Sequence, residues 1–501
     1  MATKSGGTVT GTVTGEAGIP PTGELRSNAL GLGGLVILGI AYMGLALTVY
    51  FNVGIMEGIT GPIVPLAFAA VAIAMLPTAA SFAVMNSRRP STGSVFTWLW
   101  EATAPPLGVW LGWVLVVTYI VGSLLQPVMF GLFFNSLLNY FSISAGTLTA
   151  ILAALASVVV VGILTKKDIR ISAKVTGYFI AFEAGFVALL ALYIIIKQAV
   201  NGNFTLAPFV PANATAGWTG FQNAILFAVL AIAAFDIVAP MAEESRTPRS
   251  LVPKATILVT IGAGLYWVFT SFGYVISVPA DQMASFVNSG QFTPIYLIAD
   301  AYIGAARVIV PLTGMTAVFA AFTAISITAS RLLFALSREG LAPSRFAKLD
   351  SHKTPWNAQA LVLGCCVVFP LLIILWQDQK PLNAFAWIGV SYVFFVLIPY
   401  TLVCVANIFY HLRVARDRFN VFTNLILPLL GIGINCYIFY KNFLLTYLIN
   451  ATDFTTQSSI AFIGFAILLL LIPVTIWGLR RTKGGLTTPH RFSEIDVEAQ
   501  A

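Results

Sequence analysis

Residues 221–249 read FQNAILFAVLAIAAFDIVAPMAEESRTPR. The run 221–243 is long and apolar enough to cross a bilayer, which takes about 20 residues. It holds a single acid in its interior, Asp236, and Pro240 follows four residues later. A proline cannot donate to the carbonyl four residues back, and its ring pushes that carbonyl aside. The expectation is a helix that bends or opens at Phe235–Asp236, with a freed carbonyl beside an ionisable side chain. Irregular backbone at membrane depth survives only where it faces protein or a water-filled cavity. The plainer alternative is an ordinary proline kink with a protonated, hydrogen-bonded Asp236.

The composition agrees with a chain solvated by lipid. Of 501 residues, 58% are apolar or aromatic and only 9% are charged. Mean hydropathy is +0.89. A soluble surface needs about a quarter charged residues, so a soluble enzyme, a disordered chain and a secreted disulfide scaffold are excluded. Cys365, Cys366, Cys404 and Cys436 all lie in apolar segments and read as packing residues. His352, His411 and His490 flank apolar segments rather than lying within them, so no metal site and no cofactor are expected.

Twelve apolar runs follow one another: 32–53, 61–85, 107–138, 147–165, 174–197, 221–243, 253–277, 305–336, 357–376, 383–410, 421–447 and 459–479. Open strands cannot sit in lipid, because their edges leave backbone groups unpaired. The runs are also too long and too uniformly apolar for a porin-type barrel. The fold expected is an all-α polytopic membrane protein with twelve transmembrane helices. Residues 1–26 are polar and Gly/Thr-rich, without the short apolar core of a secretory signal, and read as a disordered tail.

Orientation follows from the basic residues. Twelve spans put both termini on one side, and 23 of the 27 Lys and Arg fall there. Only Lys197, Arg307, Lys380 and Lys441 fall opposite. Both termini are therefore expected in the cytoplasm, with the protein in the plasma (cell or inner) membrane. The net charge of +8 is a topology signal and not a nucleic-acid footprint. Three Asn-x-Thr triplets, at Asn203, Asn213 and Asn450, fall on the opposite side, where only a eukaryotic host would glycosylate them.

Acids at membrane depth are costly and are functional candidates by default. Besides Asp236 the expected spans hold Glu183, in FIAFEAG at 179–185. Low dielectric disfavours the carboxylate, which suits a proton carrier; a structural, hydrogen-bonded acid is the alternative. In the eighth span Thr323, Ser326 and Ser330 share one helix face. Such a stripe lines a polar path, coordinates a cation, or simply bonds its own helix carbonyls. In the first span Gly39 and Gly44 bracket Ile40-Ala41-Tyr42-Met43. Weak points in corresponding helices of two halves point to a transporter's binding site.

Four stretches carry a family resemblance. They are PSTGSVFTW at 90–98, RISAK at 170–174, FD at 235–236 with AEESRTPR at 242–249 and Pro253, and SRLLFA through REGLAP at 330–343. In order and spacing the chain resembles the amino acid–polyamine–organocation superfamily of secondary transporters. The resemblance implies a leucine-transporter-type fold with five-plus-five inverted repeats, at about 32–200 and 218–410, that form a core over 32–410. Two further helices would occupy 411–480, between a tail at 1–31 and another at 481–501. It implies alternating access, with an unwound first span binding a substrate carboxylate through Tyr42, Met43, Gly44 and Leu45. The broken sixth span would meet the amine at Ile232, Ala233, Ala234, Phe235 and Asp236. The family's coupling position implies Glu183, facing Thr323 and Ser326, with a proton or possibly sodium as coupling ion.

Three departures from the family pattern stand out. Ala234 replaces the usual glycine before Phe-Asp, the first span lacks the common Gly-Ser/Thr-Gly turn, and Glu183 falls at or near a position where many members have Lys. The function expected is secondary transport of amino acids or related amines. A non-transporting sensor on the same scaffold and a polyamine exchanger are the alternatives. An enzyme is not expected, since no span carries a His-x-x-x-His, a paired aspartate or a Ser/His constellation. The partners implied are the small-molecule substrate, the coupling ion and lipid. The charge asymmetry predicts that a single cysteine near Asn213 reacts with an impermeant reagent added outside, while one near Arg249 or Lys348 does not; the reverse pattern would invert the topology.

Overall fold

A computed structural model describes residues 28–166, 169–215, 217–278, 282, 295–376, 380–449 and 458–481. Of the tails expected at 1–31 and 481–501 only residues 28–31 and 481 are among these residues, and the Asn450 triplet lies outside them. Among the described residues there is no strand, only an isolated β-bridge between Leu30 and Ser245. The long helices are α1 (Leu32–Met43), α2 (Val64–Arg88), α3 (Pro105–Tyr140), α4 (Thr147–Thr165), α5 (Ile169–Val200) and α6 (Gly217–Ile232). They continue as α7 (Pro248–Val275), α8 (Ile309–Arg338), α9 (Trp356–Trp376), α10 (Pro381–Arg413), α11 (Leu427–Phe439) and α12 (Ser458–Arg481).

Helices are the answer lipid allows, because each peptide group must find its partner within the segment. Proline at the first helical position sets where several begin: Pro105 in α3, Pro248 in α7 and Pro381 in α10. Eleven described stretches are long and apolar enough to cross a membrane. The first, Leu32–Arg88, has 57 residues and contains both of the first two expected spans. It turns between them at Gly61, whose φ of 72° is open to glycine.

Two of the expected spans are interrupted. The first stops at Met43, and Gly44 adopts left-handed backbone at φ 58° and ψ 64°. A helical run then continues through Leu45–Thr48, π winding over Val49–Val53, and Gly54–Thr60. The sixth stops at Ile232, and after Ala233 and Ala234 the chain resumes as a ten-residue 3₁₀ helix, Phe235–Glu244. Runs of 3₁₀ helix beyond three or four residues are uncommon and often mark hinges. The opening thus lies upstream of the Phe235–Asp236 position expected from Pro240. Pro240 sits inside the 3₁₀ segment, where the tighter winding accommodates its missing donor. Ala234 has φ 179°, extended backbone that needs no glycine, which accounts for the alanine there.

Burial separates a centre from a rim. Every residue of α8 from Ala320 to Arg338 is buried. Large apolar side chains stand exposed on α4 (Leu148, Leu152, Ile163), α5 (Leu189, Ile196) and α12 (Leu469, Leu470), as a lipid-solvated surface requires. Helix α3 packs against α8, α10 and α4, while α1 packs against α7, α5 and α8. Close approach depends on small residues. At Gly122 of α3 an added Cβ would lie 2.5 Å from the Tyr42 hydroxyl and 2.5 Å from Ile325.

At one end of the bundle α8 is clamped to the sixth span. Arg331 makes a bidentate pair with Glu244, at 2.5 and 2.9 Å, and both side chains are buried. Two turns along α8, Arg338 pairs with Glu243 at 2.7 and 2.9 Å. The start of α1 is tied to the same point. Leu30 N–H donates to the Glu244 carbonyl at 2.8 Å, and Arg246 N–H donates to the Leu30 carbonyl at 2.9 Å. Removing one partner of a buried pair typically costs about 3–5 kcal/mol, because the other charge is left uncompensated. Glu244→Gln should therefore lower thermal stability in detergent sharply, and Arg331→Met with Glu244→Met should recover most of the loss. A double variant no more stable than the single one would contradict this account.

Candidate functional site

The two helix breaks meet at one cavity of about 60 Å³. From the first span it is lined by Tyr42, Met43, Gly44, Leu47, Thr48, Phe51 and Asn52. Helix α3 contributes Leu125, Gln126 and Met129, the end of the sixth span Leu230, Ala231 and Ala233, and α10 Phe385 and Tyr392. Thus Tyr42, Met43, Gly44 and Ala233, expected from the sequence, line it. Leu45, Ile232, Ala234, Phe235 and Asp236 are buried behind the lining.

The backbone at the breaks is only partly satisfied by itself. The Gly44 N–H donates to the Ala41 carbonyl at 3.2 Å, and the Gly44 carbonyl accepts from Thr48 N–H at 2.9 Å. Trp267 Nε1 donates to the Leu45 carbonyl at 3.2 Å. Across the cavity the Tyr392 hydroxyl donates to the Ala233 carbonyl at 2.8 Å, and Ala234 N–H donates to the Ile232 carbonyl at 2.8 Å. Tyr42 and Tyr392 meet edge to face at 6.0 Å, and Phe51 stacks on Phe385 at 4.7 Å. Asn52 Nδ2 donates to the Phe227 carbonyl at 3.2 Å, pinning the first span to α6 beside the cavity.

Asp236 is not offered to the cavity. The Tyr400 hydroxyl donates to its Oδ1 at 2.8 Å, and the Tyr119 hydroxyl donates to its Oδ2. The acid is thus caged by α3 and α10, with Phe82 and Phe235 packed against the Tyr400 ring. The 3₁₀ segment that carries Asp236 turns its side chain this way, and the sequence spacing around Pro240 does not reveal it.

Glu183 lies fully buried in α5, and both of its carboxylate oxygens lack a hydrogen-bond partner. The Thr323 hydroxyl on α8 is also buried and unpartnered. Helices α5 and α8 pack together, yet the expected bond between Glu183 and the Thr323/Ser326 face is not formed. Ser326 instead donates to the Thr323 carbonyl at 3.3 Å, and Ser330 to the Ile327 carbonyl at 2.8 Å. Local i−3 bonds of this kind compete with partners across the helix. Tyr50 and Tyr266 lie within electrostatic reach of Glu183. The Tyr50 hydroxyl pairs with Thr313 at 2.6 Å, and Tyr266 donates to the Ala184 carbonyl at 3.0 Å.

A third acid escapes the sequence reading. Glu57 is buried at the far end of the first span, and neither carboxylate oxygen has a partner. With the span expected to end near residue 53, this acid falls outside it. The helix in fact runs to Thr60, carried on by the π winding. No group of three His, Cys, Asp or Glu fit to hold a metal occurs among the described residues.

Comparison with known proteins decides the family. The Amino acid permease family matches residues 30–473. The chain belongs to that family. It is 24% identical over 366 residues to the low-affinity putrescine importer PlaP of Escherichia coli strain K12, covering 70% of this chain and 75% of the relative. It is 26% identical over 387 residues to the branched-chain amino acid permease BcaP of Bacillus subtilis strain 168, covering 72% and 79%. Among solved structures, a point mutant of the manganese transporter of Eremococcus coleocola matches with TM-score 0.56 and 12% identity, over 92% of this chain and 94% of that one. That likeness concerns the fold alone, and it bears out the all-helical membrane fold expected from the sequence, though not the exact count of twelve spans. This amino acid permease is accordingly a multi-pass membrane protein and a secondary transporter.

The cage around Asp236 generates a test. Hydrogen bonds to a charged group are worth about 1.5–3 kcal/mol. Tyr400→Phe should lower thermal stability by an amount of that order and leave the apolar cavity intact. Tighter substrate binding in Tyr400→Phe, read by ligand-induced stabilisation, would mean that the freed carboxylate reaches the substrate after all.

Proposed function

We propose that this permease moves zwitterionic amino acids across the cell membrane by alternating access, with both termini cytoplasmic and with protons as the coupling ion. The observation that carries this reading is the pair of helix breaks facing one cavity. The run that starts at Leu45 directs its first N–H groups, and the positive end of its dipole, at the break; α6 ends at Ile232 with carbonyls. A carboxylate suits the first and an ammonium the second, so the two termini match the two ends of an amino acid backbone. Residues 32–200 and 218–410 are read as the two repeats. In keeping with this, four pairs of equivalent helices pack on one another: α1 with the 3₁₀ continuation of α6, α2 with α7, α3 with α8, and α4 with α9.

For coupling, Glu183 is the group we assign. A buried carboxylate with no partner is costly, which favours the protonated acid at rest and makes proton uptake and release part of the cycle. Thr323, on the α8 helix that packs against α5, keeps a buried hydroxyl without a partner and is the acceptor we assign to the protonated acid. Glu183→Gln mimics the protonated state. In proteoliposomes its substrate exchange should persist, while accumulation driven by a pH gradient should vanish. Uptake that requires sodium at constant pH would overturn the proton reading, and gradient-driven accumulation surviving in Glu183→Gln would overturn the assignment to this residue. An absence of any amino acid or amine flux would favour a sensor on this scaffold.

A further inference from the structure

The relatives' own names span a diamine and branched-chain amino acids, so the substrate class of this chain has to come from its cavity. Among the described residues no Asp, Glu, Lys, Arg or His lines it. A diamine or a cationic side chain would bring a second ammonium into this buried space, and an uncompensated buried charge is costly. The nearby acid that would answer it, Asp236, has both oxygens occupied by Tyr119 and Tyr400. The wall is instead thioether, alkyl and phenyl: Met43, Leu47, Phe51, Leu125, Met129 and Phe385.

Most polar side chains in the lining are already engaged. Tyr392 donates to the Ala233 carbonyl, Asn52 to the Phe227 carbonyl, and Thr48 to the Met43 carbonyl. Gln126 differs. It lies in α3 at 4% exposure, and of the described lining side chains it alone has a buried oxygen, Oε1, without a hydrogen-bond partner. A buried acceptor left unpaired forfeits its hydration without replacement. An ammonium carries three donors, and at the end of α6 the Ala233 carbonyl already accepts from Tyr392 and the Ile232 carbonyl from Ala234 N–H, so an acceptor on α3 adds to what that helix end offers.

We infer that the substrate is an α-amino acid with an uncharged, apolar side chain, and that Gln126 accepts a hydrogen bond from its α-ammonium while the Met, Leu and Phe wall holds the side chain. This rests on the transport reading above and narrows it. Gln126 is neutral, so it satisfies one ammonium without attracting a second. That neutrality separates amino acids with apolar side chains from diamines and lysine.

The test is a competition panel on the purified full-length protein in proteoliposomes, with labelled L-leucine as probe. Unlabelled L-leucine and L-phenylalanine should displace it at concentrations at least tenfold below L-lysine, L-glutamate or putrescine. Gln126→Met keeps length and volume but removes the acceptor. It should weaken L-leucine binding about tenfold or more, the loss of one charge-assisted hydrogen bond. Gln126→Glu should shift the preference toward putrescine and L-lysine. Wild-type protein that takes up putrescine or L-lysine in preference to L-leucine overturns the substrate class and leaves the transport reading standing. Unchanged L-leucine affinity in Gln126→Met, in protein of wild-type thermal stability, overturns the role of Gln126. If no member of the panel binds or moves, the transport reading itself fails.

Discussion

Lipid offers the backbone no hydrogen bonds, and that constraint organises this molecule. A helix can open at membrane depth only where protein or a water-filled cavity within it meets the opening. The chain opens at Gly44 and at Ala233–Ala234, so both openings must be enclosed, and the economical solution is to enclose them together. Helices α3, α8 and α10 supply the enclosure. The burial of α8 from Ala320 to Arg338, the approach of Tyr42 to Gly122 and the Tyr392 bond to the Ala233 carbonyl are consequences of that demand.

The acids divide under the same constraint. Asp236 reaches two tyrosine hydroxyls and is held between α3 and α10. Glu243 and Glu244 reach arginines and fasten one end of α8 to the sixth span. The carboxylate oxygens of Glu183 and Glu57 have no hydrogen-bond partner. Satisfied groups lock an arrangement, and unsatisfied ones retain a reason to change their protonation or their surroundings. Alternating access needs both kinds, since a scaffold with every buried charge paired would have one strongly preferred state.

Much of this was legible in the sequence. The apolar runs gave the order and extent of the helices, because the bilayer's thickness is a length that sequence records directly. Gly44 was one of two glycines that bracketed a weak point in the first span, and it is the one that takes left-handed backbone, which no other residue does at so little cost. Pro240 pointed to the second break but not to its position, since 3₁₀ winding moved the opening two residues upstream. Asp236 was legible as a buried acid, but the direction of its side chain depends on that same winding and on tyrosines 117 residues before it and 164 residues after it. Glu57 was missed because a π turn prolongs the first span past its apolar run. Gln126 was legible only as a polar residue beside Pro127 in the third apolar run and was passed over; its meaning comes from an oxygen without a partner.

The π winding of Val49–Val53 has a further consequence. It sets three successive side chains on three different neighbours: Tyr50 on Thr313, Phe51 on Phe385 and Asn52 on the Phe227 carbonyl. Such a turn behaves as one residue inserted into an α-helix. Excising a residue there would restore regular winding and leave the helix beyond on nearly its present face, whereas excising one from the α-helical Leu45–Thr48 stretch would turn everything beyond by about 100°. In that second case Glu57 and Thr60 would swing off their buried face, while the inner half up to Gly44 kept its place. The same loss of one residue is therefore absorbed within the π turn and becomes a rotation one turn before it.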